Sequence, residues 1–158
     1  MIKSVEKQLN AMREGLFEMI DEDIICIFNE KELELLICGI PDINIDDWKN
    51  NTEYIGYTSH SRNISWFWKA VEGFTPEEKA KLLQFCTGSS RVPFEGFKNL
   101  QSTNGYQKFS INKISTNRLP SAHTCFNQLD LPEYTSYEEL RKNILYAINE
   151  CQGGFYII

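Results

Sequence analysis

Apolar residues recur at helical spacing through the first part of the chain. Between residues 3 and 20 they fall on one side of a helical projection, at Val5, Leu9, Met12, Leu16, Phe17 and Ile20. This stripe predicts an amphipathic helix. A second helix is expected from about Glu30 to Cys38, because Gly39-Ile40-Pro41 is a helix-ending signal. A further short helix is expected from Ile45 through Trp48, ending near Tyr54. These helices are too few to close a core of their own.

The rest of the chain mixes helical spacing with alternation. Ser61 to Val71 carries its apolar residues on one helical face. Thr75 and Glu78 have the spacing of a capping box, which opens a further helix. Lys108 to Ile114 alternates apolar and polar residues and predicts a strand, and a last helix is expected to begin at Ser136. The pattern predicts an α+β fold in which helices pack on a small sheet.

One stretch combines turn signals with a candidate nucleophile. Between Pro120 and Pro132 the chain alternates polar and apolar residues, as a short, half-buried strand does. On such a strand His123, Cys125 and Asn127 would share one face. A thiol beside an imidazole suits nucleophilic chemistry. A buried structural role is the commoner one for a lone cysteine, so the pattern alone leaves both readings open.

Composition narrows the functional classes. The chain has 158 residues, 42% of them hydrophobic, and a net charge of −6, which argues against a nucleic-acid partner. No apolar stretch is long enough to span a bilayer. The cysteines, at positions 26, 38, 86, 125 and 151, form no Cys-x-x-Cys pair, and there are 2 histidines. We therefore expect reduced thiols, no metal or cofactor, and a cytoplasmic or nuclear protein.

Several segments together point to one family. Leu119 to Pro132 contains Leu-Pro, His-Thr-Cys-Phe-Asn and Leu-Pro in the order found in the active-site segment of HECT-type ubiquitin ligases, which it resembles. Trp66 to Trp68 resembles the first helix of the catalytic C-lobe of that family. Leu83 to Pro93 resembles the turn after its second helix, and Glu32 to Gly39 the last helical part of its N-lobe. The amino-acid sequences of these segments most resemble those of the very large Mule-like ligases.

The resemblance implies a domain organisation. Residues 1–53 would be the carboxyl-terminal part of a HECT N-lobe, partial and helical, residues 54–58 a hinge, and residues 59–158 the catalytic C-lobe. The loss of periodicity at Tyr54 to Thr58, around Gly56, fits the hinge and fits a short rigid loop equally well. The subdomain that binds the conjugating enzyme is expected to be missing, so activity of this chain alone is expected to be weak.

The resemblance also implies a reaction. Cys125 would accept ubiquitin from a ubiquitin-conjugating enzyme as a thioester and transfer it to a lysine of a protein substrate. His123 and Thr124 would support it. Phe155 matches by position a phenylalanine that in the family docks onto the N-lobe during transfer; the sequence alone equally allows Phe155 to pack on its own lobe. The expected partners are ubiquitin, a conjugating enzyme and protein substrates, with no nucleic acid and no membrane.

Some assignments stay open at this level. His123 suits either a structural hydrogen bond or stabilisation of a thiolate. Asp130 and Glu133 are candidates for accepting a proton from the attacking amine, although strand parity places Asp130 on the face opposite Cys125. The alternative function is a truncated, non-turnover module that binds ubiquitin or occupies a regulatory surface.

Overall fold

The computed structural model of the chain consists of two units, Met1–Cys38 and Gly39–Ile158. The residues that it describes are 5–39, 42–116 and 118–150. Gly153-Gly154, which as a glycine pair is a helix-ending signal for the last helix, therefore lies outside the described residues, as do Cys151 and Phe155.

The first unit is helical. Its helices are α1 (Glu6–Met19), α2 (Glu22–Ile25) and α3 (Glu30–Cys38). The positions of α1 and α3 confirm the predictions from apolar spacing. No residue of α1 is buried, so the apolar stripe that defines this helix is exposed.

The second unit has the predicted α+β architecture. Its elements are α4 (Ile45–Asn50), β1 (Thr52–Ile55), α5 (Arg62–Glu72), α6 (Pro76–Thr87), β2 (Gln101–Ser102), β3 (Gly105–Tyr106), β4 (Phe109–Ile114), β5 (Ser121–His123), β6 (Gln128–Pro132) and α7 (Tyr137–Glu150). One sheet has the strand order β1-β4-β6-β5. Within it β4 runs parallel to β1 and β6, whereas β5 is antiparallel to β6. A separate antiparallel hairpin is formed by β2 and β3. The helix expected to end near Tyr54 ends at Asn50 instead, because Thr52 to Ile55 pair with β4 as a strand.

The core of this unit lies between the sheet and its helices. The strands β4 and β6 contribute Phe109, Ile111, Leu129 and Leu131, all fully buried. Helices α5, α6 and α7 contribute Ile64, Phe67, Trp68, Leu82, Leu83, Leu140 and Ile144. The apolar faces predicted for these helices and for β4 are therefore the faces that the fold buries.

Helix starts follow the predicted capping signals. Thr75 and Glu78 form both bonds of the capping box at the start of α6, and Gly88 ends that helix in the left-handed conformation, with φ 80°. At α7 the Ser136 hydroxyl accepts from the backbone N–H of Glu139. The Glu139 carboxylate accepts from Thr135 instead of closing a second capping bond.

The side chain of Trp48 packs α4 against the rest of the second unit. Its ring is fully buried and stacks on Phe97 at 5.0 Å between centroids, with edge contacts to Trp68 and Phe109. Such aromatic pairs contribute about 0.5–1.5 kcal/mol each beyond burial. The sequence analysis grouped residues 1–53 together, whereas the structure places α4 and β1 in the second unit. The predicted hinge at 54–58 thus falls within that unit, and its role as a hinge stays a prediction.

Candidate active site

Cys125 lies in a tight turn between two antiparallel strands. β5 ends at His123, a 3-10 turn covers Thr124–Phe126, and β6 begins at Gln128. Between them Asn127 has φ 49° and ψ 40°, the left-handed conformation that asparagine tolerates better than most residues. The prediction of one strand through Cys125 is wrong, because the chain reverses here. His123, Cys125 and Asn127 do not share a strand face.

The main chain of Cys125 is anchored while its side chain is exposed. The backbone N–H and the hydroxyl of Thr103 both donate to the Cys125 carbonyl, at 3.3 and 3.4 Å. The residue has a free, exposed thiol. A fixed backbone with an accessible sulfur suits attack on a bulky thioester, because it limits the conformations that the nucleophile must search.

Asn127 fastens the turn to the β2–β3 hairpin. Its side chain is fully buried, and its amide Nδ2 donates to the carbonyls of Gln101 and Gln107, at 3.0 and 2.9 Å. Its own carbonyl accepts from the backbone N–H of Ser110 in β4, at 3.0 Å. One residue therefore joins the turn, the hairpin and the central sheet. The sequence pattern placed Asn127 inside the expected strand and so missed this role, although asparagine is also a common turn residue.

His123 is paired with a carboxylate. Its Nε2 lies 3.1 Å from Oδ2 of Asp130. The side chain of His123 is 53% exposed and that of Asp130 only 13%. The parity argument for Asp130 assumed one continuous strand, which the structure does not have. In the hairpin register His123 pairs with Gln128, so Asp130 lies diagonally across on the same face.

Glu133, the other carboxylate considered, has a different partner. Its Oε2 lies 2.8 Å from Nζ of Lys113, and both side chains are well exposed. An exposed pair of this kind adds little to stability, typically about 0–1 kcal/mol. Of the two candidate carboxylates, the structure brings Asp130 to His123 and pairs Glu133 with a lysine.

Thr124 is half-buried where the turn meets the end of α6. A Cβ added at Gly88 would lie 3.8 Å from the Cβ of Thr124, so helix end and turn are in van der Waals range. The Thr124 carbonyl accepts from the N–H of Asn127 at 3.4 Å and closes the turn. The role of Thr124 in support of the candidate nucleophile stays a prediction.

The other described thiols differ from Cys125 in place or exposure. Cys86 is completely buried in α6, and burial raises the pKa of its thiol, which disfavours the reactive thiolate. Cys26 is exposed but lies in the first unit. Among the described residues, no cluster of three or more His, Cys, Asp or Glu is placed to hold a metal ion. None of the helices there has the length and apolar character needed to cross a membrane.

An exposed, backbone-anchored cysteine is the kind of site that forms covalent acyl intermediates. Residues 1–158 match the family model for the HECT-domain (ubiquitin-transferase). The chain therefore belongs to the HECT family, which confirms the resemblance seen in the sequence.

Large fungal and animal proteins are similar to this chain. E3 ubiquitin-protein ligase ptr1 of Schizosaccharomyces pombe is 57% identical over 97% of this chain. E3 ubiquitin-protein ligase TOM1 of Saccharomyces cerevisiae is 56% identical over 96%, and E3 ubiquitin-protein ligase HUWE1 of Mus musculus 55% identical over 98%. The matched region covers 5%, 5% and 4% of these relatives. The chain thus spans about one twentieth of their length.

Proposed function

We propose that this chain carries the catalytic lobe of a ubiquitin-protein ligase, with Cys125 as the ubiquitin acceptor. The observation that carries the proposal is the exposed thiol of Cys125 on a turn held by Thr103 and Asn127, in a chain of the HECT family. The first step exchanges one thioester for another, so it is close to isoenergetic. It requires mainly a thiolate and an open approach.

The remaining roles belong to the same proposal. His123, at the end of β5, and Thr124, in the turn that follows, support Cys125. Phe155 docks the ubiquitin-loaded catalytic lobe onto the N-lobe during transfer to lysine. The partners are ubiquitin, a ubiquitin-conjugating enzyme and protein substrates, and the compartment is the cytoplasm or the nucleus. The family match and the names of the relatives support the three partners in general terms.

Intact-mass measurement tests the acceptor. The chain is incubated with ubiquitin-activating enzyme, conjugating enzyme and ubiquitin, and the adduct is measured with and without reductant. We expect one reductant-sensitive ubiquitin adduct that is lost in Cys125→Ala. The matched controls are Cys26→Ala and Cys86→Ala, which should both retain the adduct. Among the thiols that the structure describes, Cys26 is exposed like Cys125, and Cys86 is buried.

The same measurement separates transfer from binding alone. A module that only binds ubiquitin would form no covalent adduct with any variant. An adduct that persists in Cys125→Ala would refute the assignment of the acceptor. Because loading of the isolated chain is expected to be slow, a parallel reaction uses ubiquitin with a small-molecule thioester at its carboxyl end, which does not depend on docking of a conjugating enzyme.

A further inference from the structure

Three side-chain donors contact the carboxylate of Asp130. Two of them come from neighbouring strands, and one comes from the strand of Asp130 itself. Its Oδ1 accepts from Nδ2 of Asn112 at 3.0 Å and from Nε2 of Gln128 at 2.7 Å. Its Oδ2 faces Nε2 of His123 at 3.1 Å. An amide NH2 group can only donate, so these contacts suit the ionised carboxylate. The carboxylate of Asp130 is therefore held in place by hydrogen-bond partners on both of its oxygen atoms.

This arrangement selects one form of the His123 ring. An ionised carboxylate only accepts, so the nitrogen that faces it, Nε2, must carry the proton. In the neutral ring the other nitrogen, Nδ1, is then the acceptor. His123 is also the residue that precedes the 3-10 turn, and Cys125 follows two positions later, so their Cα atoms are at most about 7 Å apart.

We propose that Asp130 is a positioning residue that holds His123 with Nε2–H bound and Nδ1 available to accept the proton lost by the attacking lysine amine. The inference rests on the proposed function, since it concerns the second step at the same site. It assigns to Asp130 the role that a carboxylate has beside a catalytic histidine, which is to fix the tautomer and orientation of the ring. The proton acceptor itself is His123.

The step balances with these groups. The lone pair of the lysine amine forms a bond to the carbonyl carbon of the last ubiquitin residue. The bond from that carbon to sulfur breaks, and its electron pair stays on Cys125 as a thiolate. The nitrogen loses one proton to Nδ1 of His123, which passes it to water. Loading, by contrast, exchanges one sulfur for another and has no amine proton to remove.

The tautomer of His123 is measurable without ubiquitin. The chain has 2 histidines, so ring nitrogen signals in a 15N-labelled sample are assigned by one substitution, and the exposed His60 is an internal reference. We expect His123 to hold the Nε2–H form more completely than His60. In Asp130→Asn the amide oxygen can keep the donors from Asn112 and Gln128, which turns the NH2 group toward the ring and favours the Nδ1–H form.

Single-turnover discharge tests the role in transfer. Each variant is loaded from the small-molecule ubiquitin thioester and then mixed with free lysine. We expect Asp130→Asn to load at the wild-type rate but to discharge at least about tenfold more slowly, because a misplaced base loses part of the roughly 10²–10⁴-fold that general base catalysis contributes. Glu133→Gln removes a nearby carboxylate that pairs with Lys113, and is the matched control with unchanged tautomer and discharge.

The outcomes are separable. A wild-type chain that forms no thioester on Cys125 overturns the proposed function. Normal loading with normal discharge in Asp130→Asn overturns only the inference, as does a His123 ring whose tautomer does not change. A parallel fall in loading and discharge with an unchanged tautomer would mean that Asp130 merely shapes the turn, and it too overturns the inference. Melting temperature checks that each variant folds.

Discussion

The side-chain amide of Asn127 donates to the carbonyl of Gln107 at 2.9 Å, and so joins the turn that carries Cys125 to the end of the β2–β3 hairpin. The same amide reaches the carbonyl of Gln101 at the start of that hairpin. A short loop that would otherwise move freely is thereby attached to the body of the second unit. The attachment therefore helps to fix the position of the thiol.

Loss of the Asn127 amide is expected to weaken both fold and loading. Asn127→Gly retains the left-handed backbone but removes two partly buried hydrogen bonds, each contributing about 0.5–1.5 kcal/mol. We expect the free energy of unfolding to fall by about 1–3 kcal/mol, with slower thioester formation. Urea unfolding and single-turnover loading measure both effects.

Thr103→Val is the matched control for the Asn127 prediction. It removes the hydroxyl bond to the Cys125 carbonyl but leaves the backbone N–H bond of residue 103 in place. Its effect on stability and loading should be smaller than that of Asn127→Gly. An Asn127→Gly variant as stable and as fast as the wild type would contradict the attachment role.

Where the chain is cut should decide whether the second unit folds. A chain that begins at Gly39 retains α4 and β1, whereas one that begins at residue 59 loses β1 and the buried ring of Trp48. We expect the longer piece to unfold cooperatively on heating and the shorter one to lack a sharp transition. Near-ultraviolet circular dichroism during a thermal scan distinguishes them.

A point substitution isolates the part played by Trp48. In the whole chain, Trp48→Ala is expected to lower the free energy of unfolding by about 3–5 kcal/mol, as for other large buried aromatics. Trp66→Ala, at a half-buried tryptophan of α5, should cost less. Cooperative folding of the piece from residue 59 would show that α4 and β1 are dispensable.

Alkaline pH is expected to destabilise the second unit through buried tyrosines. The hydroxyl of Tyr57 donates to the carbonyl of Leu131 in β6 at 3.1 Å. Burial, with smaller contributions from Glu133 and Tyr134, raises the pKa of Tyr57 to about 12, from 10.0. Because the folded state holds this proton more tightly than the unfolded state, the stabilisation is complete below about pH 10 and is lost as pH rises toward 12.

The measurement is urea unfolding at several pH values across this window. Tyr57→Phe removes one titrating group, so its free energy of unfolding should fall less steeply with pH than that of the wild type. Tyr106→Phe, at an exposed tyrosine, is the matched control. Equal slopes for Tyr57→Phe and the wild type would contradict the assignment.

Local pattern was sufficient for the helices. The stripe from Val5 to Leu16, the inward face of α5 and the capping box at Thr75 depend on residues within a few positions of one another, so their spacing is visible in the sequence. Cys125 was likewise identifiable, because the sequence motifs around it are those of a known family. The identity of the candidate nucleophile and most of the helices therefore came from sequence.

Tertiary structure decided how the site is arranged. A polar–apolar alternation reads the same in a continuous strand and in two short strands joined by a turn, and only the pairing of β5 with β6 shows that Asn127 reverses the chain. That reversal brings Asp130 to His123, a contact that parity along one continuous strand does not predict. The bonds from Asn127 to the hairpin at Gln101 and Gln107 are equally non-local. Pairing across a sheet depends on the free energy of the whole packed unit, which no local spacing contains.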